Sequence, residues 1–417
     1  MTKLEELINE LCPDGVEYVK IKDYFTRLKG TPITAAKMKE IASNDGEIKV
    51  FAGGKTVINA YEKDIPKANI TRVPAVLVQS RGVIDVVYYD NPFTFKNEMW
   101  AYTHNEQITV KYLYYFLSTQ VNKMRESASG MGSLPQISLK VTEEMQIPLP
   151  PLSIQSEIVH ILDSFTLLTA ELTAELTARQ KQYAFYRDYL LDFSDEDITK
   201  KIPDIDCSEV KTLRLDEVAQ IYDGTHQTPN YKDSGIPFIS VENIKDIYGS
   251  KKYISEQDFN KYKIKPQIND VFMTRIGSIG DCAIFDKQAD LAYYVSLALI
   301  RPNTDIVISK YLKYVIESRF GRKELRKRTL VNAVPIKINK NDIGKIELPI
   351  PPLSVQENIV KILDRFDKLN NDMSEGLPAE IEARQKQYEY YRDTLLSFDD
   401  KACSQIVKVE RERANTH

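Results

Sequence analysis

Mainly apolar side chains, with one arginine in each set, recur every three or four residues along two long stretches of this 417-residue chain. In the first, Ile161, Phe165, Leu168, Leu172, Leu176, Arg179, Tyr183, Tyr186 and Leu190 form a stripe. In the second, Ile362, Phe366, Leu369, Met373, Leu377, Ile381, Arg384, Tyr388, Tyr391 and Leu395 do the same. This spacing places them on one helix face, and a stripe of that length needs a partner surface. Roughly 37 residues per helix, about 55 Å at 1.5 Å per residue, is more than a small domain can cover. The two stripes are therefore expected to pack on each other as an antiparallel coiled coil; two amphipathic helices lying on their own domains is the alternative. Ser153 and Ser354 are placed as N-caps, and Ser354 with Glu357 forms a capping box. Gly376 and Pro378 predict a break in the second helix, with Pro378 opening a new helix in its first turn.

Outside the stripes the period shortens. Alternations of Val, Ile, Tyr and Phe at 75–78, 83–89, 237–241 and 292–300, bounded by Gly, Pro and Asn, predict strands. Helical patterns are interspersed at 112–126 and 309–328. The fold class is α+β: two α/β domains, each followed by a long helix.

The two halves are copies. ARQKQY occurs at 178–183 and again at 383–388, and each stripe follows a proline-rich lead-in, Pro148-Leu149-Pro150-Pro151-Leu152-Ser153 and Pro349-Ile350-Pro351-Pro352-Leu353-Ser354. Val19 pairs with Leu213, Ser80 with Arg275, Lys111 with Lys310 and Pro135 with Pro335, so the offset drifts through 194, 195, 199, 200 and 205. A one-way drift is what small insertions in a duplicated module produce, and duplication implies pseudo-two-fold symmetry. The boundaries follow: a domain over 1–147, a helix over 148–196, a domain over 197–347, a helix over 348–398 and a polar tail over 399–417. The copies differ inside the helix. The first has Thr169-Ala170-Glu171-Leu172 repeated as Thr173-Ala174-Glu175-Leu176; the second has Glu375-Gly376-Leu377-Pro378.

Charge changes the picture of possible partners. The net charge of −4 argues at first against nucleic acid. However, residues 154–196 hold 8 acids and 3 bases, and 354–400 hold 11 acids and 6 bases. The helical stretches are thus acidic by 10 and the remainder of the chain is basic by 6, which suggests different partners for each. No apolar run reaches a membrane span of roughly 18 residues, and the start, Met1-Thr2-Lys3-Leu4, lacks the shape of a signal peptide. Cys12, Cys207, Cys282 and Cys403 are far apart and the four histidines lack metal-ligand spacing, so a reduced cytoplasmic protein without a structural metal is expected.

The PLPPLSIQ and PIPPLSVQ lead-ins, the TAEL repeats and the ARQKQYxxYRDxLL ends make the chain resemble the specificity subunit of type I restriction–modification enzymes, over nearly its whole length. The resemblance implies a non-catalytic, sequence-specific DNA-binding subunit. Each variable domain would be a target recognition domain reading one half of a bipartite, asymmetric site in double-stranded DNA. The helices would form the spacer and dock two modification subunits, which methylate adenine; restriction subunits would join them. No cofactor is expected on this chain, with S-adenosylmethionine, ATP and Mg on the partner subunits. Half-sites on one face of B-DNA lie about 34–36 Å apart, within reach of such a coil. One TAEL unit adds about 6 Å and a net rotation of about 40°, close to the roughly 35° of one base pair. A coiled-coil scaffold with two non-DNA ligand domains is the alternative, and the basic excess outside the coils counts against it.

Candidate DNA contacts follow from chemistry. Arg322, Lys323, Arg326 and Lys327 belong to a run with six bases in ten residues, suited to phosphates or simply a solvated basic face. Thr225, His226, Gln227 and Asn230 lie in a polar loop; Gln and Asn can read adenine edges, and a plain surface turn is the other reading. Arg275 and Ser278 beside Gly277 and Gly280, Ser80 and Arg81 in the first half, and Lys55 in Gly53-Gly54-Lys55-Thr56 lie on glycine loops that allow close backbone approach, or on ordinary hairpins. Tyr183, Tyr186, Tyr388, Tyr390 and Tyr391, with Arg187 and Arg392, are candidates for docking the modification subunits or for closing the coil. Asp90-Asn91-Pro92-Phe93 approximates the [DNS]-P-P-[YF] motif of adenine methyltransferases but lacks its second proline, and no nucleophile–base pair stands out.

Overall fold

The computed structural model describes residues 3–129, 134–193, 209–371 and 376–398. Cys207, Met373, Glu375, Cys403 and the tail lie outside them. The chain divides into two compact units, one of Met1–Leu172 with Ile381–His417, the other of Thr173–Glu380. Each long helical stretch thus gives its first part to one unit and its last part to the other.

In the first unit the strands are β1 (Tyr18–Lys20), β2 (Thr26–Leu28), β3 (Ile48–Phe51), β4 (Val57–Ala60), β5 (Ala75–Gln79), β6 (Asp85–Tyr89), β7 (Phe93–Phe95), β8 (Trp100–Thr103) and β9 (Gln146–Pro148). They form an antiparallel sheet β2-β8-β5-β6, a three-stranded sheet β4-β3-β7 with β3 and β7 parallel, and the pair β1-β9. β5 (AVLVQ) is buried on both faces, which explains why it reads as a continuous apolar run. Val76 and Val78 pack with Val110, Leu113 and Leu117 of the Gln107–Glu126 helix. Ala75 and Leu77 pack on the other side with Phe51, Phe93 and Phe95. The layers are therefore helix, sheet, sheet.

The second unit contains β10 (Lys211–Arg214), β11 (Ala219–Asp223), β12 (Ile236–Ile239), β13 (Tyr253–Ile254), β14 (Val271–Thr274), β15 (Cys282–Ile284), β16 (Ala292–Tyr293), β17 (Leu297–Pro302) and β18 (Glu347–Ile350). Its sheets β11-β17-β14-β15 and β13-β12-β16, and its pair β10-β18, repeat the first unit strand for strand, including the parallel neighbours β12 and β16. The burial split repeats too: Val271 and Met273 face one core, Phe272 the other. The duplication read from local motifs is thus a duplication of topology.

Several boundaries differ from expectation. The alternation at 292–300 is two strands, and the pattern at 309–328 is two helices, Ser309–Glu317 and Arg319–Arg328. Ser318 separates them, its hydroxyl accepting the Gly321 N–H at 3.2 Å. Gly321 is required there: a Cβ would lie 2.2 Å from the Val315 carbonyl oxygen. The long helices begin at Leu152 and Leu353, one residue before the expected serine caps. The Pro151 carbonyl accepts from Ile154 and Gln155, and the Pro352 carbonyl from Val355 and Gln356. Ser153 and Ser354 therefore sit in the first turn and cap nothing. Gln155 and Gln356 instead donate back to the carbonyls of Pro150 and Pro351, at 2.8 Å in each copy. The Gly-Pro break is present: one helix ends at Asn371 and the next, Leu377–Ser397, carries Pro378 in its first turn.

The Leu152–Leu190 helix is continuous over 39 residues. Inside the first unit, Ile154, Ile158 and Leu162 are buried with Tyr391, Leu395 and Leu396, and Phe165 stacks on Tyr391 at 5.2 Å. Inside the second unit, Leu190 is buried with Val355, Ile359 and Leu363, and Tyr186 stacks on Phe366 at 5.4 Å. Each unit thus pairs the start of one helical stretch with the end of the other, as an antiparallel coil requires.

Candidate nucleic-acid interface

In the second unit the candidate residues lie on four elements that are tied together. Arg275, at the end of β14, is buried. Its guanidinium pairs with Asp223 at the end of β11, and its Nε donates to the Ile338 carbonyl at 3.2 Å. The Gly277 N–H donates to the Ile336 carbonyl at 3.0 Å, fastening the 275–280 turn to the 329–338 loop. Arg322, in the Arg319–Arg328 helix, donates to the Ile279 carbonyl and to Asp281. Gly280, at φ +92°, lies against that helix: a Cβ would stand 2.5 Å from the Leu325 side chain. The loop after β11, the 275–280 turn, the 329–338 loop and the basic helix are therefore one braced assembly.

What that assembly exposes is selective. Just beyond Asp223, Thr225 is fixed by backbone bonds with Tyr293 and Val295 and accepts the Gln227 N–H through its hydroxyl. His226, Gln227 and Asn230 are exposed, as is Ser278. In the basic helix, Glu324 is buried and pairs with Lys327 and Arg328. Burial alone would raise the Glu324 pKa, but the two cations hold its carboxyl below the ordinary range. Lys323 and Arg326 point outward with no side-chain partner among the described residues. Of the four bases singled out in this helix, two are thus available to a ligand, and Arg322 and Lys327 are held by carboxylates.

The first unit builds a parallel arrangement from different residues. The Gly54 N–H donates to the Arg81 carbonyl at 3.1 Å, and a Cβ on Gly82 would meet Gly54 at 3.2 Å. Two glycine turns therefore touch, bringing Lys55 and Arg81, both exposed, onto neighbouring loops. The Gly82 N–H bonds the Pro135 carbonyl at 2.8 Å, and Ile137 N–H bonds the Ser80 carbonyl at 3.0 Å. These match the bonds from Gly277 to Ile336 and from Ile338 to Arg275. Pro135 is thereby the counterpart of Ile336, not of Pro335 as the sequence offset indicated.

Two candidates change role. Ser80 is fully buried and donates to the Glu98 carbonyl at 2.5 Å. Arg275 is spent on Asp223 and Ile338. Both brace the loops and present no side chain to a ligand. Sequence reasoning missed Arg125, whose Nε donates to the Ile84 carbonyl at 3.1 Å as Arg322 does to Ile279, and exposed Lys123 beside it. A weaker basic signal, two cations rather than six, hid that counterpart. Asp90-Asn91-Pro92-Phe93 is the turn between β6 and β7: Asp90 and Asn91 are exposed, Phe93 is fully buried in β7, and the Pro92 carbonyl accepts from the Lys49 N–H.

The helix candidates also divide. Tyr391 is 6% exposed and closes the helix pair. Tyr183 and Tyr388 are half-buried, each with a guanidinium over its ring at 5.6 Å, from Arg187 and Arg392. Burial raises the pKa of both phenols. Tyr186 and Tyr390 remain exposed, and so do Phe185 and Tyr189, which the sequence did not single out because they lie off the stripe. No group of three or more potential metal ligands occurs among the described residues, nor is any described helix long and apolar enough to cross a membrane.

Comparison with known proteins gives a consistent result. Residues 13–179 and again 207–383 match the family described as type I restriction modification DNA specificity domain. The chain is 33% identical over 370 residues to the type I restriction enzyme EcoR124I/EcoR124II specificity subunit of Escherichia coli, covering 84% of this chain and 87% of that one. It is 28% identical over 328 residues to the type I restriction enzyme MpnII specificity subunit of Mycoplasma pneumoniae, covering 64% and 92%. In fold it is similar to a crystal structure of the S subunit of a type I restriction–modification system from M. genitalium, with a TM-score of 0.54, 16% identity and coverage of 92% and 96%. A structure described in terms of complex assembly and conformational transition of the type I system matches with a TM-score of 0.58, 15% identity and coverage of 92% and 98%.

Proposed function

Because this chain belongs to the type I restriction–modification DNA specificity family, we propose that it reads a bipartite, asymmetric site in duplex DNA, one half-site per domain, and directs adenine methylation and restriction by partner subunits. The observation that carries this reading is one scaffold built twice with different exposed chemistry. At the matching turns after β5 and β14, Arg81 and Val83 of the first copy stand where Ile276 and Ser278 stand in the second. Identical frames with unlike side chains suit two unlike half-sites. A scaffold for non-DNA ligands is not favoured by the family match.

The division of labour follows from placement. Lys323 and Arg326 contact phosphates, which fix register and give salt-dependent affinity without base information. Gln227 and Asn230 read base edges, each able to pair bidentately with adenine. The buried Arg275 and Ser80 hold the loops, so their ordering costs little at binding. The chain itself is non-catalytic and works where DNA is, in the cytoplasm. Two modification subunits dock on the helices, with Tyr186, Arg187 and Arg392 among the contacts, and carry the S-adenosylmethionine; restriction subunits carry ATP and Mg. The stretch 169–176 sets the half-site spacing.

Co-expression tests this. The chain is expected to co-purify with a methyltransferase subunit, and that complex to bind duplex DNA with an affinity that falls as salt rises. Absent or salt-independent binding contradicts the proposal.

A further inference from the structure

The 329–338 loop of the second unit carries an unusual surface. Of residues 330–337, Leu330, Val331, Val334 and Ile336 are exposed apolar side chains, at 43%, 66%, 100% and 41%. Isolated exposed apolar residues are ordinary, but a contiguous exposed group marks an interaction site. The loop is also shaped rather than slack. Leu330 N–H bonds the Lys337 carbonyl at 2.8 Å, Ala333 N–H the Leu330 carbonyl at 3.2 Å, and Gly277 N–H the Ile336 carbonyl at 3.0 Å. Buried Arg275 holds its far end through Ile338. The fold therefore pins the base of this loop and leaves Val331 and Val334 in solvent.

Three features indicate the occupant. The loop directly follows the basic helix, whose Lys323 and Arg326 are exposed without partners among the described residues, and Lys337 in the loop is exposed as well. A polyanion is the complementary ligand. The loop is bonded to the same turn that carries Ser278, and Arg275 links it to the strand leading into Gln227 and Asn230, so it belongs to the base-reading assembly. Finally, the equivalent loop of the first unit, braced by the same bonds from Gly82 and Ile137, also presents an apolar residue, Leu134 at 64% exposure, although the surrounding sequence differs. The shared property is an exposed apolar side chain just ahead of the bonded segment, Leu134 in one copy and Val334 in the other, which phosphate binding does not require. In the major groove, the one apolar feature of a base pair is the thymine 5-methyl group.

We propose that Val331 and Val334 enter the major groove of the second half-site and make apolar contact with a thymine methyl, so that this loop specifies an A·T pair there. The proposal rests on the DNA-reading function above. It is tested with the assembled methyltransferase complex, comparing the parent chain with the double variant Val331→Ala, Val334→Ala. Binding is measured on the cognate duplex, on duplexes with each base pair of both half-sites changed in turn, and on duplexes with each thymine replaced by uracil, which removes only the methyl. Both substitutions are at exposed positions, and retained discrimination at the first half-site verifies folding and assembly.

The expected result is a loss of about tenfold in discrimination at one or two adjacent A·T positions of the second half-site, within the range of single base-pair contacts. Uracil at that position weakens the parent and leaves the variant unchanged, and the salt dependence of both is equal. Equal discrimination by variant and parent at every position overturns the proposal, as does a uniform loss across both half-sites, which would place the loop against another subunit. A parent complex that discriminates at no position would instead remove the DNA-reading function itself.

Discussion

Arg275 and Asp223 form a largely buried ion pair that joins the end of β14 to the end of β11. The same guanidinium bonds the Ile338 carbonyl, so one side chain fixes three of the four elements proposed to meet DNA. Arg275→Ala would leave Asp223 unpaired and release the 329–338 loop. Removing one partner of a buried pair costs about 3 kcal/mol. Thermal unfolding should therefore show marked destabilisation, with selectivity lost at the second half-site. Arg81→Ala is exposed and should change stability by less than about 0.5 kcal/mol while weakening DNA binding. Equal stability losses from the two substitutions would contradict this assignment.

Lys323 and Arg326 are proposed to touch phosphates only. Replacing both by alanine should reduce the slope of log affinity against log salt by about 1.8, roughly 0.9 per phosphate contact. Preference among bases should stay as it was. The measurement is a titration of the complex with cognate duplex at four or five salt concentrations; an altered base preference with an unchanged slope would reverse the roles of helix and loops.

Residues 173–176 are one TAEL unit of the continuous Leu152–Leu190 helix. Deleting them removes about 6 Å and about 40° of net rotation. The preferred spacer should shorten by about one base pair with both half-sites retained. Sequencing of methylated motifs in cells carrying the deletion reads this directly, and an unchanged spacer would sink the idea.

Glu144 bridges Lys20 at 2.7 Å and Lys22 at 2.6 Å. Hydrogen bonds from Lys20 and then Lys22 lower its pKa from 4.5 to about 2. A carboxylate with a lowered folded-state pKa stabilises above its unfolded value and loses that contribution as pH falls through the folded value. The parent should therefore melt slightly above Glu144→Gln at pH 6, with the difference vanishing near pH 2. The effect is small because the group is exposed; a difference that grows on acidification would have the wrong sign.

The duplication, the long helices and the Gly-Pro break were legible because they rest on local periodicity and on residues with special backbone chemistry. The strand order was not, since β3 pairs with β7 and β12 with β16 across long intervals that no local pattern encodes. The N-caps shifted because the Pro151 and Pro352 carbonyls already accept the first helical N–H groups, while the Gln155 and Gln356 side chains donate to the preceding proline carbonyls. The site was legible at the level of loops but not of atoms. Ser80 and Arg275 carry the right chemistry for contact and are consumed by burial, whereas Val334, with no polar atom to attract notice, is fully exposed. Tyr186 and Tyr391 occupy equivalent positions in the two stripes and each stacks on a phenylalanine, Phe366 and Phe165, yet Tyr391 is buried and Tyr186 partly open.

On the proposed function, this chain alone chooses the DNA sequence that its partners modify. Sequencing of methylated adenines in a host with and without the gene tests it most directly. One bipartite, asymmetric motif is expected, methylated in the parent, absent after deletion and restored by re-expression. Exchange of the second domain should then change one half of the motif only. Persistence of every methylated motif after deletion would contradict it.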